Sequence, residues 1–253
     1  MPSSPTETSP TETTAWVAGA DGFRDGWMVV LHRPATATTR CRTVDGADAL
    51  LNLPEAPAVL GVDMVLGLPD RAVPGGRACD RAARQLLGHP RGASVFSPPA
   101  YAALGAETYE AAQRRNRASG PDAPGLTKQA FYLLPKMRAL TEHVTPARQE
   151  HVREVHPELA FYAMNGDTPF EHSKHTDAGQ TRRTALLTAN GFPDVETVLD
   201  VRPGGPLGAD DVLDAHAACW TARRIHRGTA ERCPPRDAPA PRNDRGLRME
   251  IWR

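Results

Sequence analysis

Lysine is nearly absent from this chain of 253 residues, which carries 3 Lys against 27 Arg, and aromatic residues make up 6% of it. Net charge is absent too. Thirty basic side chains balance thirty acidic ones, so no whole-molecule positive field draws in nucleic acid, and any phosphate contact must use a local patch. Two stretches qualify. Residues 71–117 hold eight Arg against Asp80, Glu107 and Glu110, and residues 223–253 hold nine Arg against four acids. Long apolar runs are missing: the best, residues 58–68, is interrupted by Asp63 and falls short of the ~20 residues a membrane span needs. Cysteine is sparse. Cys41, Cys79, Cys219 and Cys233 form no C-x-x-C pair or zinc-like spacing, which predicts reduced, structural thiols and a cytoplasmic protein. No Walker-type loop, G-x-G-x-x-G turn, G-x-S-x-G elbow or H-E-x-x-H helix occurs, which argues against the chemistries those motifs carry.

What is present reads as one α/β domain. Residues 1–14 are rich in Ser, Thr and Pro, with two Glu and no basic residue, and predict a disordered leader. Residues 15–253 are expected to form a single domain with a helical insertion at about 76–145. The β-rich runs at 15–20 and 27–31 flank an acid-bearing turn over 21–26, to which Asp25 is assigned. A third strand is expected near 40–44, a short helix over 48–53, and a buried strand over 58–62 ending at Asp63. Ala78, Ala82, Leu86 and Leu87 recur at helical spacing, and two more helices flank a break at 119–125. A strand over 151–156 leads into a helix opened by Pro157 and Glu158. Residues 166–180 read as a loop, followed by a helix to Asn190, a break at 203–206, a last helix over 210–226 and a terminal edge strand over 247–252.

Acids recur at strand ends and in first helical turns. Asp21 and Asp63 follow apolar runs, Glu154 lies in an expected strand, and Asp211 and Asp214, three apart on the last helix, share a face. Carboxylates gathered from distant parts of a chain are the ligands hard cations need, and such a site can hydrolyse a phosphodiester with Mg²⁺ or Mn²⁺. Singly, each acid reads as a cap or turn residue. Asp210 is assigned the cap of the last helix, leaving Asp211 and Asp214 as the functional pair. Asp63 is the hardest to explain away, because an ionised group directly after a buried strand needs a partner. His156 and Glu158, beside Glu154, and Lys136, one of the three lysines, form a second tier. Lys174, with Arg182 and Arg183, is a candidate phosphate contact near a helix N-terminus.

The segments 19–27, 61–69, 77–80, 94–96 and 152–158 together resemble the predicted RNase H-like nuclease family catalogued as domain of unknown function 429. Ser173-Lys174, the run 210–215 and the ending 246–252 extend the resemblance over nearly the whole ordered chain. It implies an RNase H-like fold: a mixed five-stranded sheet, its first three strands antiparallel, with helices on both faces. Asp21 then matches the first-strand acid, Glu154 the acid after a later strand, Asp211 and Asp214 the closing Asp-x-x-Asp, and Asp63 the family's second motif. His216 stands where a small or aliphatic residue is usual. The implied activity is metal-dependent cleavage of a nucleic acid or nucleotide, DNA or RNA. Two other readings stand beside it: an ATP-dependent phosphotransferase on a related sheet, and a catalytically inactive binding module.

Overall fold

The computed structural model describes residues 14–24, 26–202, 205–237 and 239–253. Five strands, β1 (Val17–Phe23), β2 (Gly26–Arg33), β3 (Thr38–Val44), β4 (Val59–Asp63) and β5 (Val152–Glu154), form one mixed sheet in the order β3-β2-β1-β4-β5. The first three are antiparallel, and β1, β4 and β5 run parallel. The helices are α1 (Gly46–Leu51), α2 (Ala78–Leu87), α3 (Tyr109–Arg117), α4 (Lys128–His143), α5 (Pro157–Met164), α6 (Asp177–Ala189), α7 (Val195–Val201) and α8 (Ala209–His226). No helix among the described residues is long and apolar enough to cross a membrane. All four cysteines are free.

Alternation along the strands sends their side chains into two cores. Ala18 and Ala20 of β1, Val29 and Leu31 of β2, and Leu60 and Val62 of β4 pack against α1, α3 and α4. Val17, Met28, Val30 and Val59 face the other way, onto α5, α6, α7 and α8. The central strands are therefore apolar on both faces, and burial of both faces is what a parallel pair requires. The three helices α2, α3 and α4 fall between β4 and β5, and α4 itself covers one face of the sheet.

Several expectations change. The acid-bearing turn is shorter than its sequence suggests, because Asp21 lies within β1 opposite Met28; Asp25 lies outside the described residues. The leader over residues 1–14 also lies outside them, Thr14 excepted, as do Pro203 and Gly204 of the expected break. Helix α6 begins inside the stretch read as loop, and α7 carries no periodic signal strong enough to announce seven residues. The terminal edge strand shrinks to β7 (Ile251–Trp252), which pairs with β6 (Arg232–Cys233) in a separate two-stranded sheet. Its upstream half cannot extend as a ladder, since the Leu247 and Arg248 backbone N–H groups donate to the side chains of Asn243 and Gln149.

Candidate active site

Two glycines let α8 lie directly on the sheet. A Cβ at Gly19 would stand 1.9 Å from the Cys219 backbone nitrogen, and one at Gly61 would stand 2.8 Å from the Ala218 carbonyl oxygen. Gly19 and Gly61 are register partners, and so are Asp21 and Asp63 two residues later. Because side chains alternate, both aspartates share the face that carries α8. The first turns of α8 then bring Asp211 and Asp214 to the same end of β1. A repeated Gly-x-Asp closing two apolar runs is a local signal for this arrangement.

Asp21 and Asp214 are buried. Burial pushes the Asp21 carboxyl well above the usual carboxylate range, and the charges of Asp63, Asp214 and Asp211 push the same way against the weaker pull of Lys174. Burial likewise pushes Asp214 up to about 6, with Lys174 opposing. Burial raises Asp211 as well, while its hydrogen bond from the Gly208 backbone N–H pulls the other way. Lys174 supplies the cation: its Nζ donates to Asp214 Oδ2 at 2.5 Å and stands 3.7 Å from Asp210 Oδ2. Desolvation alone would lower this ammonium, but Asp214, Asp21 and Asp63 outweigh it and raise it.

The capping role falls to Asp211 instead of Asp210. Asp211 Oδ2 accepts the Gly208 backbone N–H at 2.6 Å, while Asp210 turns to Lys174 and His175. Two acids one residue apart at a helix start look alike in sequence, and the loop carrying Lys174 decides which of them caps.

Glu154 departs further from expectation. Its register partner is Val62, whose side chain enters the opposite core from Asp21 and Asp63, so strand parity turns Glu154 to the other side of the sheet. There it meets Arg77. Arg77 Nη1 donates to Glu154 Oε2 at 2.9 Å, and Nη2 donates to Oε1. The guanidinium also donates to Asp80 through Nε and Nη2 and to the Gly67 carbonyl oxygen, while Leu66 N–H donates to Glu154 at 2.9 Å. All five guanidinium donors are used. Burial raises Glu154 above its usual range, and Arg77 opposes that rise. A carboxylate so committed holds α2 to the sheet. Arg77 and Asp80 are the residues the sequence reading left without a role, and no local signal links positions 77 and 154.

The second tier divides in the same way. Glu158 accepts two hydrogen bonds from the fully buried Arg183, at 2.8 and 3.1 Å. Lys136 Nζ donates to the Gly26 carbonyl oxygen and lies 4.8 Å from the Trp27 ring centroid. His156 N-caps α5, and its Nε2 stands 3.4 Å from the Ser94 carbonyl oxygen. Arg182 donates to Asn165 and is exposed. Lys174 thus enters the acid cluster, while Arg182 does not line the cavity above it. That cavity, of about 320 Å³, has Asp21, Asp63, Asp214 and Lys174 on one side, Phe96 and Leu133 among its apolar walls, and Arg77, Glu154, His156 and Glu158 also in its lining.

The family profile described as "Protein of unknown function (DUF429)" matches residues 19–239, from the glycine under α8 to the segment after β6. The chain belongs to the DUF429 family. No curated protein and no solved structure matches it. The matched span of this DUF429 chain holds all four clustered aspartates, Lys174 and the Arg77–Glu154 pair.

Tested against a divalent cation, the site fits in chemistry and charge. Its donors are carboxylate oxygens, which hard cations take, and Lys174 is the cation that Asp21, Asp63 and Asp214 act on. In spacing the carboxylates remain drawn around Lys174: among the described residues no three His, Cys, Asp or Glu side chains stand close enough to cage an ion.

Proposed function

We propose that this protein is a Mg²⁺- or Mn²⁺-dependent phosphodiester hydrolase of RNase H-like fold, with nucleic acid as substrate. The observation that carries the reading is the buried Asp21, crowded by Asp63, Asp211 and Asp214 with one ammonium among them. Such crowding costs stability and is retained where it serves a site. The strand order β3-β2-β1-β4-β5, with acids at the ends of β1 and β4 and at the start of α8, supports the fold assignment.

Asp21, Asp63, Asp211 and Asp214 would hold the cation. Bound there, it would supply charge neutralisation at the phosphate and activation of water. The chain's own groups do the rest. Lys174 offers its ammonium to a phosphate oxygen, and the apolar walls at Phe96 and Leu133 exclude bulk water from the acids. Glu154 lines the same cavity with its carboxylate engaged by Arg77, and so serves as a positioning residue.

The test is cleavage of labelled single-stranded, duplex and branched DNA and RNA, with Mn²⁺ or with chelator, by the native chain and by Asp21→Asn. Cleavage that requires both the metal and Asp21 is expected. No cleavage of any substrate, or full activity in Asp21→Asn, would overturn the reading.

A further inference from the structure

We propose that the substrate reaches the acid pocket as an unpaired strand passing over α4, with one base stacked on Tyr132. This deepens the nuclease reading and rests on it for the cleavage step alone.

Tyr132 is 74% exposed. The other exposed aromatic among the described residues, Tyr101, is covered: the Arg245 guanidinium lies 4.7 Å from its ring centroid and donates to its hydroxyl. Tyr132 touches a single ring, Phe131, at 5.8 Å and a tilt of 58°, so a broad face stays open to solvent. Leaving a large ring uncovered forgoes the burial that stabilises most aromatic residues.

Its position connects it to the acids. Gln129 and Leu133 of α4 line the cavity that holds Asp21, Asp63 and Asp214. Tyr132 follows Gln129 by three residues and precedes Leu133, so it stands at the rim on the neighbouring ridge of the same helix. Lys128, one turn earlier on the ridge of Tyr132, is exposed. Beyond it, Arg114 and Arg117 are exposed on α3, the helix whose Tyr109 packs on Phe131 beside Tyr132, and neither enters an ion pair with a described residue. In the other arginine-rich stretch several of the guanidinium groups are already engaged. Arg248 and Arg253 are paired with Glu150, Glu250, Asp167 and Glu231, and Arg223 and Arg224 lie over Phe192 and Trp220.

An open aromatic face with an exposed cation one turn away is how proteins hold single strands, since every base has a stacking face and every link a negative charge. A duplex fits poorly. Asp21 and Asp214 lie buried at a cavity of about 320 Å³, the lower end of small-ligand pockets. A phosphate must descend into it, which a flexible strand permits and the stiff duplex resists.

The experiment measures fluorescence anisotropy of labelled oligo(dT), oligo(U) and a matched duplex with the full chain in chelator, where binding proceeds without cleavage. The wild type, Tyr132→Ala and Tyr132→Phe are compared. The expected result is single-strand binding by the wild type that weakens about 5- to 100-fold in Tyr132→Ala, the loss of one base–aromatic stack, and returns in Tyr132→Phe. Duplex binding should not change. No single-strand binding by the wild type, an unchanged Kd in Tyr132→Ala, or an equal loss for strand and duplex would each overturn the proposal. The two readings fail separately. Tyr132-dependent binding without Mn²⁺-dependent cleavage removes the nuclease and keeps the docking surface, whereas cleavage with Tyr132-independent binding does the reverse.

Discussion

At Asp21 the proposed function and the stability of the fold pull apart. In the folded chain its carboxyl is buried beside three other acids, so ionising it is harder than in the unfolded chain. A group whose folded pKa is raised binds its proton more tightly when folded. Its charged form therefore costs stability at neutral pH, and the cost fades as pH falls through the raised folded value toward the unfolded one. Asp21→Asn removes that charge with little change of shape. The variant should be more stable than the wild type at pH 7.5, by on the order of 1 kcal/mol, and should lose this advantage as the pH approaches 4. Urea titrations across that range measure it; a variant less stable than the wild type at pH 7.5 would contradict the electrostatic account. That position 21 places an acid at the end of an apolar run was legible in the sequence. That Asp211, not Asp210, caps α8 was not, because the choice depends on Lys174 arriving from a loop more than thirty residues away.

Among the elements, α2 is fastened to the sheet by one guanidinium. Arg77, at its N-terminus, ties Asp80 of its own first turn to Glu154 of β5, and all three are buried. Replacing one member of a buried ion network leaves the others charged and unpaired, which typically costs about 3–5 kcal/mol. Arg77→Met should therefore destabilise the chain by about that amount, and Glu154→Gln by less, since the amide still accepts from Leu66 and Arg77. Chemical denaturation of both variants tests the order; equal and small effects would return Glu154 to the role of a free carboxylate. The elements were largely readable from periodicity: β1 to β4, α2, α4, α5 and α8 lie near their expected places. What periodicity omits is register. Glu154 ends a strand just as Asp63 does, but its pairing with Val62 turns it to the opposite face of the sheet. The upstream half of the terminal strand failed for a similar reason, its backbone donors having been taken by side chains distant in sequence.

At the scale of the whole molecule, acidification acts on the core behind α8. His216 is fully buried between Phe192 and the Val212 carbonyl oxygen, to which its Nδ1 donates at 2.7 Å. Burial pushes it down to about 4, and burial with the charge of Arg223 does the same to His32. A histidine with a lowered folded pKa contributes stability above its unfolded value near 6.5, and that contribution is lost as pH falls from there toward 4. His216→Gln should be less stable than the wild type at pH 7.5, and the gap should narrow by on the order of 2 kcal/mol at pH 4.5. Thermal or urea unfolding at the two pH values decides it; a constant gap would mean that His216 is not neutral in the folded chain. Composition and local pattern determined that this is an α/β chain with strand-end acids and an excess of arginine, because apolar alternation, turn residues and caps act over a few positions. The tertiary structure decided which acids meet, because that depends on strand register, on two glycines that admit a helix backbone, and on a lysine and an arginine brought in from afar to meet buried charge.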